Sequence, residues 1–171
     1  MMFGVTTVEL VVFVGLQASG KSTFFRERFA ATHKHVSKDL FRNNSDRNRR
    51  QRELIEAALG AGRSVVVDNT NPTVEDRRAP IRLGREFGAK IVGYFFESTP
   101  RECLSRNARR EGKAKVPDVA IFATAKKLTP PSPAEGFDEL FRVRLLLDNA
   151  GFEVGPYADE ETGQRGPRAT G

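Results

Sequence analysis

Gly15-Leu16-Gln17-Ala18-Ser19-Gly20-Lys21-Ser22 constrains this chain more than any other stretch. It fills every fixed position of G-x-x-x-x-G-K-[ST] and follows the apolar run Val8-Glu9-Leu10-Val11-Val12-Phe13-Val14. Such a run reads as a strand covered on both faces that passes through a tight turn into a helix. Glycines let the turn curl so that successive backbone N–H groups face one point, and the helix N-terminus adds partial positive charge there. This arrangement suits phosphate. Lys21 would bridge the β- and γ-phosphates, and the Ser22 hydroxyl would ligate Mg2+. The candidate nucleotide site is Gly15, Leu16, Gln17, Ala18, Ser19, Gly20, Lys21, Ser22 and Thr23, with ATP or another NTP as ligand. A chance glycine turn ahead of a helix is the alternative, and pattern and context together oppose it.

The rest of the chain repeats the strand-then-helix theme, which defines an α/β fold built from parallel βα units. Helix is expected from about Gly20 to Ala31, and a short strand at His35-Val36-Ser37. Asp46 to Leu59 reads as a helix, with Leu54, Ile55, Ala58 and Leu59 on one face and Gly60 and Gly62 as its stop. Ser64 to Asp68 is a third strand. Asn71 is expected to cap the next helix, with Pro72 at its first position and Pro80 as a kink. Ala89 to Glu97 is a fourth strand. Thr99-Pro100-Arg101-Glu102 has capping-box spacing, and Leu140 to Leu147 supplies a fifth strand. Arg106 to Pro117 is rich in Arg, Lys and Gly and reads as a mobile loop or lid. A single domain over 1–157 and a disordered tail over 158–171 are expected.

With 171 residues, the chain is long enough for one core without staples. A lone cysteine, Cys103, excludes an internal disulfide, and two histidines argue against a Cys/His zinc site. The longest apolar stretch, Leu10 to Gly15, is far short of the roughly 20 residues that span a bilayer. No signal peptide is expected, and the cytoplasm is the expected setting, with no membrane partner.

Two further segments narrow the chemistry. Asp68 ends an apolar strand, where a carboxylate would hold Mg2+ directly or through water; a capping or turn role is the alternative. Ser37-Lys38-Asp39-Leu40-Phe41-Arg42 follows the second strand, on the side of an open α/β sheet where ligands gather. Asp39 would there accept a hydroxyl proton, and Arg42, three residues on, would hold an acceptor phosphate. Asp39 as a plain helix cap and Arg42 as a solvated charge is the other reading.

Net charge is +6, and it is unevenly spread. Residues 42–52 carry five arginines against Asp46, net +4, and residues 101–115 carry six cations against Glu102 and Glu111, again +4. The remainder is therefore net −2, and both clusters lie where a nucleic-acid backbone would suit them; ordinary solvated helix faces are the alternative.

In order, GLQASGKS, SKDLFR, VVVDNTNP (65–72) and RNARREGKAKVP (106–117) resemble the kinase domain of 5′-polynucleotide kinases, over roughly residues 8–147. The resemblance implies a P-loop kinase fold: a parallel sheet of about five strands sandwiched by helices, with a basic lid. It also implies ATP-dependent phosphorylation of the 5′-hydroxyl ends of DNA or RNA in end repair. By the same resemblance Asp39 is the general base, Arg42 the acceptor-phosphate ligand, and Lys21 and Ser22 the phosphate and Mg2+ residues. Arg106 and Arg109 or Arg110, with Arg110 preferred, engage the donor phosphates. Asn69 and Asn71 match the pattern without a separate chemical step. Relatives often carry a phosphatase or ligase domain. This chain has no Asp-x-Asp pair, so it is expected to supply the kinase step alone or to rely on a separately encoded phosphatase or ligase. A small-molecule or antibiotic kinase and a non-enzymatic nucleotide-binding module are the rival readings.

Overall fold

The computed structural model describes residues 6–147 and 150–157; the expected tail, 158–171, lies outside the described residues. The elements in order are β1 (Glu9–Val14), α1 (Lys21–Arg28), β2 (Lys34–Val36), α2 (Arg47–Gly60), β3 (Val65–Val67), α3 (Val74–Glu86), β4 (Lys90–Phe96), α4 (Pro100–Ala108), α5 (Asp118–Lys127), β5 (Glu139–Leu145) and β6 (Phe152–Pro156). The sheet runs β2-β3-β1-β4-β5-β6. Its first five strands are parallel, and β6 pairs antiparallel with β5. The parallel α/β sandwich expected from the sequence is present, extended by this sixth, antiparallel strand.

β1 is central and shows why its sequence is almost wholly apolar. Successive side chains face opposite sides of a strand. Leu10, Val12 and Val14 enter the core shared with Ile55 of α2 and Ile81 and Leu83 of α3. Val11 and Phe13 face the other way, against Phe24, Phe25 and Phe29 of the α1 side. Phe13, Phe24, Phe29, Tyr94 and Phe96 form an edge-to-face and tilted aromatic cluster with centroids 5.0–6.0 Å apart. Each fully buried ring contributes about 1.5–3 kcal/mol. Through Phe24 the cluster ties α1, the helix that follows the glycine-rich loop, to β1 and β4.

Three local expectations change. Asn71 does not cap α3: its φ is +43°, and its Nδ2 donates to Phe13 O at 2.8 Å. Thr73 takes the cap instead, in a reciprocal box with Asp76, so Pro72 precedes the helix. The helix runs on through Pro80. Arg106 to Ala108 belong to α4 rather than to a loop, and α5 follows the basic segment. Asn107, fully buried, pins that segment at both ends by donating to Val116 O at 2.7 Å and accepting from Val116 N at 3.1 Å. Among the described residues no helix is long and apolar enough to cross a membrane.

Candidate active site

The parallel arrangement brings the carboxyl ends of β1, β3 and β2 side by side. The turn after each carries one part of the candidate site: the glycine-rich loop, Asp68 and Asp39. They meet around a cavity of about 460 Å³. Gln17, Ala18, Gly20, Lys21, Ser22 and Thr23 form one wall; Asp39, Arg42, Asp68 and Arg110 lie on the others.

The loop has the geometry its sequence implies. Ala18 and Gly20 both take positive φ, +61° and +98°. Gly20 has a second reason to be glycine: a Cβ there would lie 2.9 Å from the Phe152 ring. No side chain caps the N-terminus of α1, whereas α2, α3 and α4 are each capped by Asp46, Thr73 or Thr99. Its first turn carries no acid. The N–H groups of α1 are thus left for an anionic ligand.

Lys21 is buried and donates to Leu16 O at 2.6 Å and Gly15 O at 3.0 Å. Burial lowers its pKa to about 8, opposed in part by the charge of Asp68. Phosphate oxygens favour the ammonium form, so nucleotide binding raises this pKa and takes up a proton above pH about 8. Affinity is therefore expected to fall as pH rises through that value. Calorimetric titration at pH ~8.5 in buffers of different ionisation enthalpy should register uptake of a fraction of a proton. Identical enthalpies in both buffers would contradict it.

Ser22 donates its hydroxyl to Asp68 Oδ2 at 3.1 Å, and His35 Nε2 lies 2.8 Å from the same oxygen. The His35 ring stacks on Phe25 with centroids 3.9 Å apart. A buried carboxylate is thus oriented from two sides. Sequence reasoning missed His35, because its partner Asp68 is 33 residues away. It also missed Arg26, which lines the cavity one turn into α1 and donates to Thr23 Oγ1 at 3.1 Å.

Asp39 sits in the short 3₁₀ turn Lys38–Phe41 and is 75% exposed, with Arg42 Nη2 3.5 Å away. Arg42 also donates to Lys113 O at 3.2 Å across the cleft. An ion pair this solvated adds little stability, so neither residue is explained by folding.

The two sequence-proposed donor-phosphate arginines separate. Arg110 reaches the cavity and donates to Ala114 O at 3.2 Å. Arg106 does not line it; its Nη1 donates to Ala18 O at 2.7 Å and Ser98 Oγ at 3.2 Å. It braces the positive-φ turn of the glycine-rich loop at Ala18.

The basic cluster on α2 also reads differently. Arg49 and Arg50 pair with Glu53, and Arg52 lies 4.0 Å from Glu56. Extending the window from 52 to the helix end at 60 adds these two acids and reduces net charge from +4 to +2.

A glycine-rich loop on a central parallel strand, facing a strand-end carboxylate, defines a P-loop nucleotide-binding protein. The sequence matches the AAA domain family over residues 10–131, and the chain belongs to that family. It is 31% identical over 142 residues to a bifunctional polynucleotide phosphatase/kinase of Schizosaccharomyces pombe, covering 79% of this chain and 33% of the relative. It is 29% identical to a putative bifunctional polynucleotide phosphatase/kinase of Acanthamoeba polyphaga mimivirus, covering 83% of this chain and 34% of that protein. The chain thus spans about a third of the length of these curated relatives. A chain of the Pnkp1/Rnl/Hen1 RNA repair complex superposes with a TM-score of 0.60 at 25% identity, over 71% of this chain and 44% of that one.

Proposed function

We propose that this chain transfers the γ-phosphate of ATP or another NTP to the 5′-hydroxyl end of DNA or RNA. One observation carries the reading. Asp39 and Arg42 share a cavity with Lys21, Ser22 and Asp68, which supports reading Asp39 as the proton acceptor and Arg42 as the acceptor's phosphate ligand. The relatives' names supply the acceptor class.

The 5′-hydroxyl would lie against Asp39, which takes its proton as the oxygen attacks phosphorus. The loop amides, Lys21 and Arg110 would hold the growing charge on the equatorial oxygens. Arg106 keeps Ala18, and hence the loop, in its phosphate-binding shape. Ser22 and Asp68 fit Mg2+: a hydroxyl and a carboxylate 3.1 Å apart are hard oxygen donors. Among the described residues no group of three or more His, Cys, Asp or Glu could hold a metal. Mg2+ commonly uses one or two protein carboxylates, with water and substrate phosphates completing its shell. When bound it supplies charge neutralisation at the β- and γ-phosphates. A phosphatase or a ligase acting on the same ends is the proposed partner.

Arg42 should recognise the phosphate on the 3′ side of the acceptor nucleoside. Arg42→Ala is expected to raise KM at least about tenfold for a nucleoside 3′-phosphate acceptor and to change it little for one lacking that phosphate. Equal effects on both acceptors would remove this role.

The compact cavity and the internally paired α2 arginines also fit a small-molecule kinase. That reading predicts transfer to a sugar-like alcohol and none to oligonucleotide ends.

A further inference from the structure

The Asp68-Asn69-Thr70-Asn71 loop bonds to a different part of the site at each residue. Asp68 accepts from Ser22 at 3.1 Å; Thr70 O accepts from Gly15 N at 3.0 Å; Asn71 donates to Phe13 O at 2.8 Å. Asn69 reaches the remaining part. Its Oδ1 accepts from the backbone N–H of Lys38 at 2.9 Å, and its Nδ2 donates to Gln51 Oε1 at 2.8 Å.

We propose that Asn69, held by Gln51, is a positioning residue for Asp39: an amide relay from α2 that fixes the Lys38–Asp39 turn against the phosphate loop. This rests on the reading of Asp39 as the proton acceptor. The Asp39 carboxylate is three-quarters exposed, and among the described residues its ion-pair partner is Arg42, at 3.5 Å, so its own side-chain contacts do not fix its place. Its place depends on its backbone, which lies in a four-residue 3₁₀ turn. The hydrogen-bond geometry of a 3₁₀ turn is poorer than that of an α-helix, so its own bonds hold it weakly. Within it, Asp39 N donates to Ser37 Oγ at 3.3 Å and Leu40 N to Ser37 O at 3.0 Å, both local bonds. The Asn69 bond is the one among the described residues that ties Lys38–Phe41 backbone to a distant segment. Its acceptor must face Lys38, so its amide hydrogens face Gln51. Gln51 is itself 8% exposed and projects from the second turn of α2. Because Asn69 follows Asp68, the same loop sets the spacing between the candidate metal-binding carboxylate and the proton acceptor. Misplacing a reacting group by about 1 Å can lower a rate by as much as ~10²-fold.

The test uses the full chain. Asn69→Ala should lower single-turnover transfer to a 5′-hydroxyl oligonucleotide at least about tenfold, with the protein still folded and nucleotide affinity close to wild type. Combined with Asp39→Ala it should add no further loss. Gln51→Leu should change the rate in the same direction by a smaller factor. Hydrogen exchange at the Lys38 amide should speed up in both. A folded Asn69→Ala protein with a wild-type rate, or one whose loss is as large in the Asp39→Ala background, overturns the relay. A wild-type rate in Gln51→Leu removes Gln51 from it. If Asp39→Ala alone keeps its activity, the reading of Asp39 fails. The Lys38 amide then judges the relay separately: unchanged exchange in Asn69→Ala overturns that too.

Discussion

Asp39→Ala is expected to lower phosphoryl transfer by about 10²–10⁴-fold, the usual contribution of a positioned general base, while nucleotide affinity stays unchanged. The prediction is sharp because Asp39 has little else to do. Its side chain is mostly solvent-exposed, and among the described residues its ion-pair partner is Arg42, 3.5 Å away. Removing it uncovers no buried charge and opens no cavity, so lost activity cannot be ascribed to lost folding. Asp39→Asn should be equally inactive, since the amide keeps the shape and cannot take the proton. Single-turnover transfer and equilibrium nucleotide binding, measured on the same preparations, check both halves. Near-normal turnover in either variant would remove Asp39 as the base.

Arg77→Ala should have the largest effect on stability, about 3–5 kcal/mol, as expected when one partner of a buried ion pair is removed. Arg77 is fully buried on α3, and Glu135 is nearly so. Their contact is two-pronged, with Nε to Oε1 at 2.7 Å and Nη2 to Oε2 at 3.1 Å. Arg77 also donates from Nη1 to Asn71 O at 2.8 Å. The arginine therefore holds Asn71 in its positive-φ turn, beside the Thr70 carbonyl that accepts from Gly15 N. Nucleotide affinity should fall together with stability. Replacing both partners with apolar residues, Arg77→Met with Glu135→Leu, should recover much of the stability, because no unpaired charge remains. Urea denaturation of the three variants measures this. A single-variant loss below about 1 kcal/mol would mean that the pair carries far less than a buried pair should.

The phosphate loop was legible because its function dictates its spacing: glycines where the backbone must turn, then Lys21 and Ser22 at the helix start. The first strand was legible because both of its faces are buried. Asp39 and Asp68 were legible by position, since each follows a parallel strand and such strand ends converge. What escaped depends on partners far along the chain. Nothing near Arg77 announces Glu135, 58 residues on, and nothing near His35 announces Asp68. Asn71 looked like a cap because its residue type and the following proline fit one. Its side chain is instead taken by Phe13 O, and Thr73-Val74-Glu75-Asp76 supplies the reciprocal cap. β6 was missed because Phe152–Pro156 is short and half-exposed, without an apolar run. α5 was missed because it is bracketed by the basic segment and the proline-rich stretch. The positive charge of residues 42–52 is offset by Glu53 and Glu56, which follow directly on α2 and pair with its arginines.

The acceptor is what separates a polynucleotide kinase from a small-molecule kinase. The most direct measurement offers the purified chain γ-labelled ATP and Mg2+ with a 5′-hydroxyl oligonucleotide, the same oligonucleotide already 5′-phosphorylated, and a panel of sugars and aminoglycosides. Label should appear on the 5′-hydroxyl oligonucleotide alone, and Asp39→Ala should abolish it. Label on a sugar or aminoglycoside with none on the oligonucleotide would contradict the account.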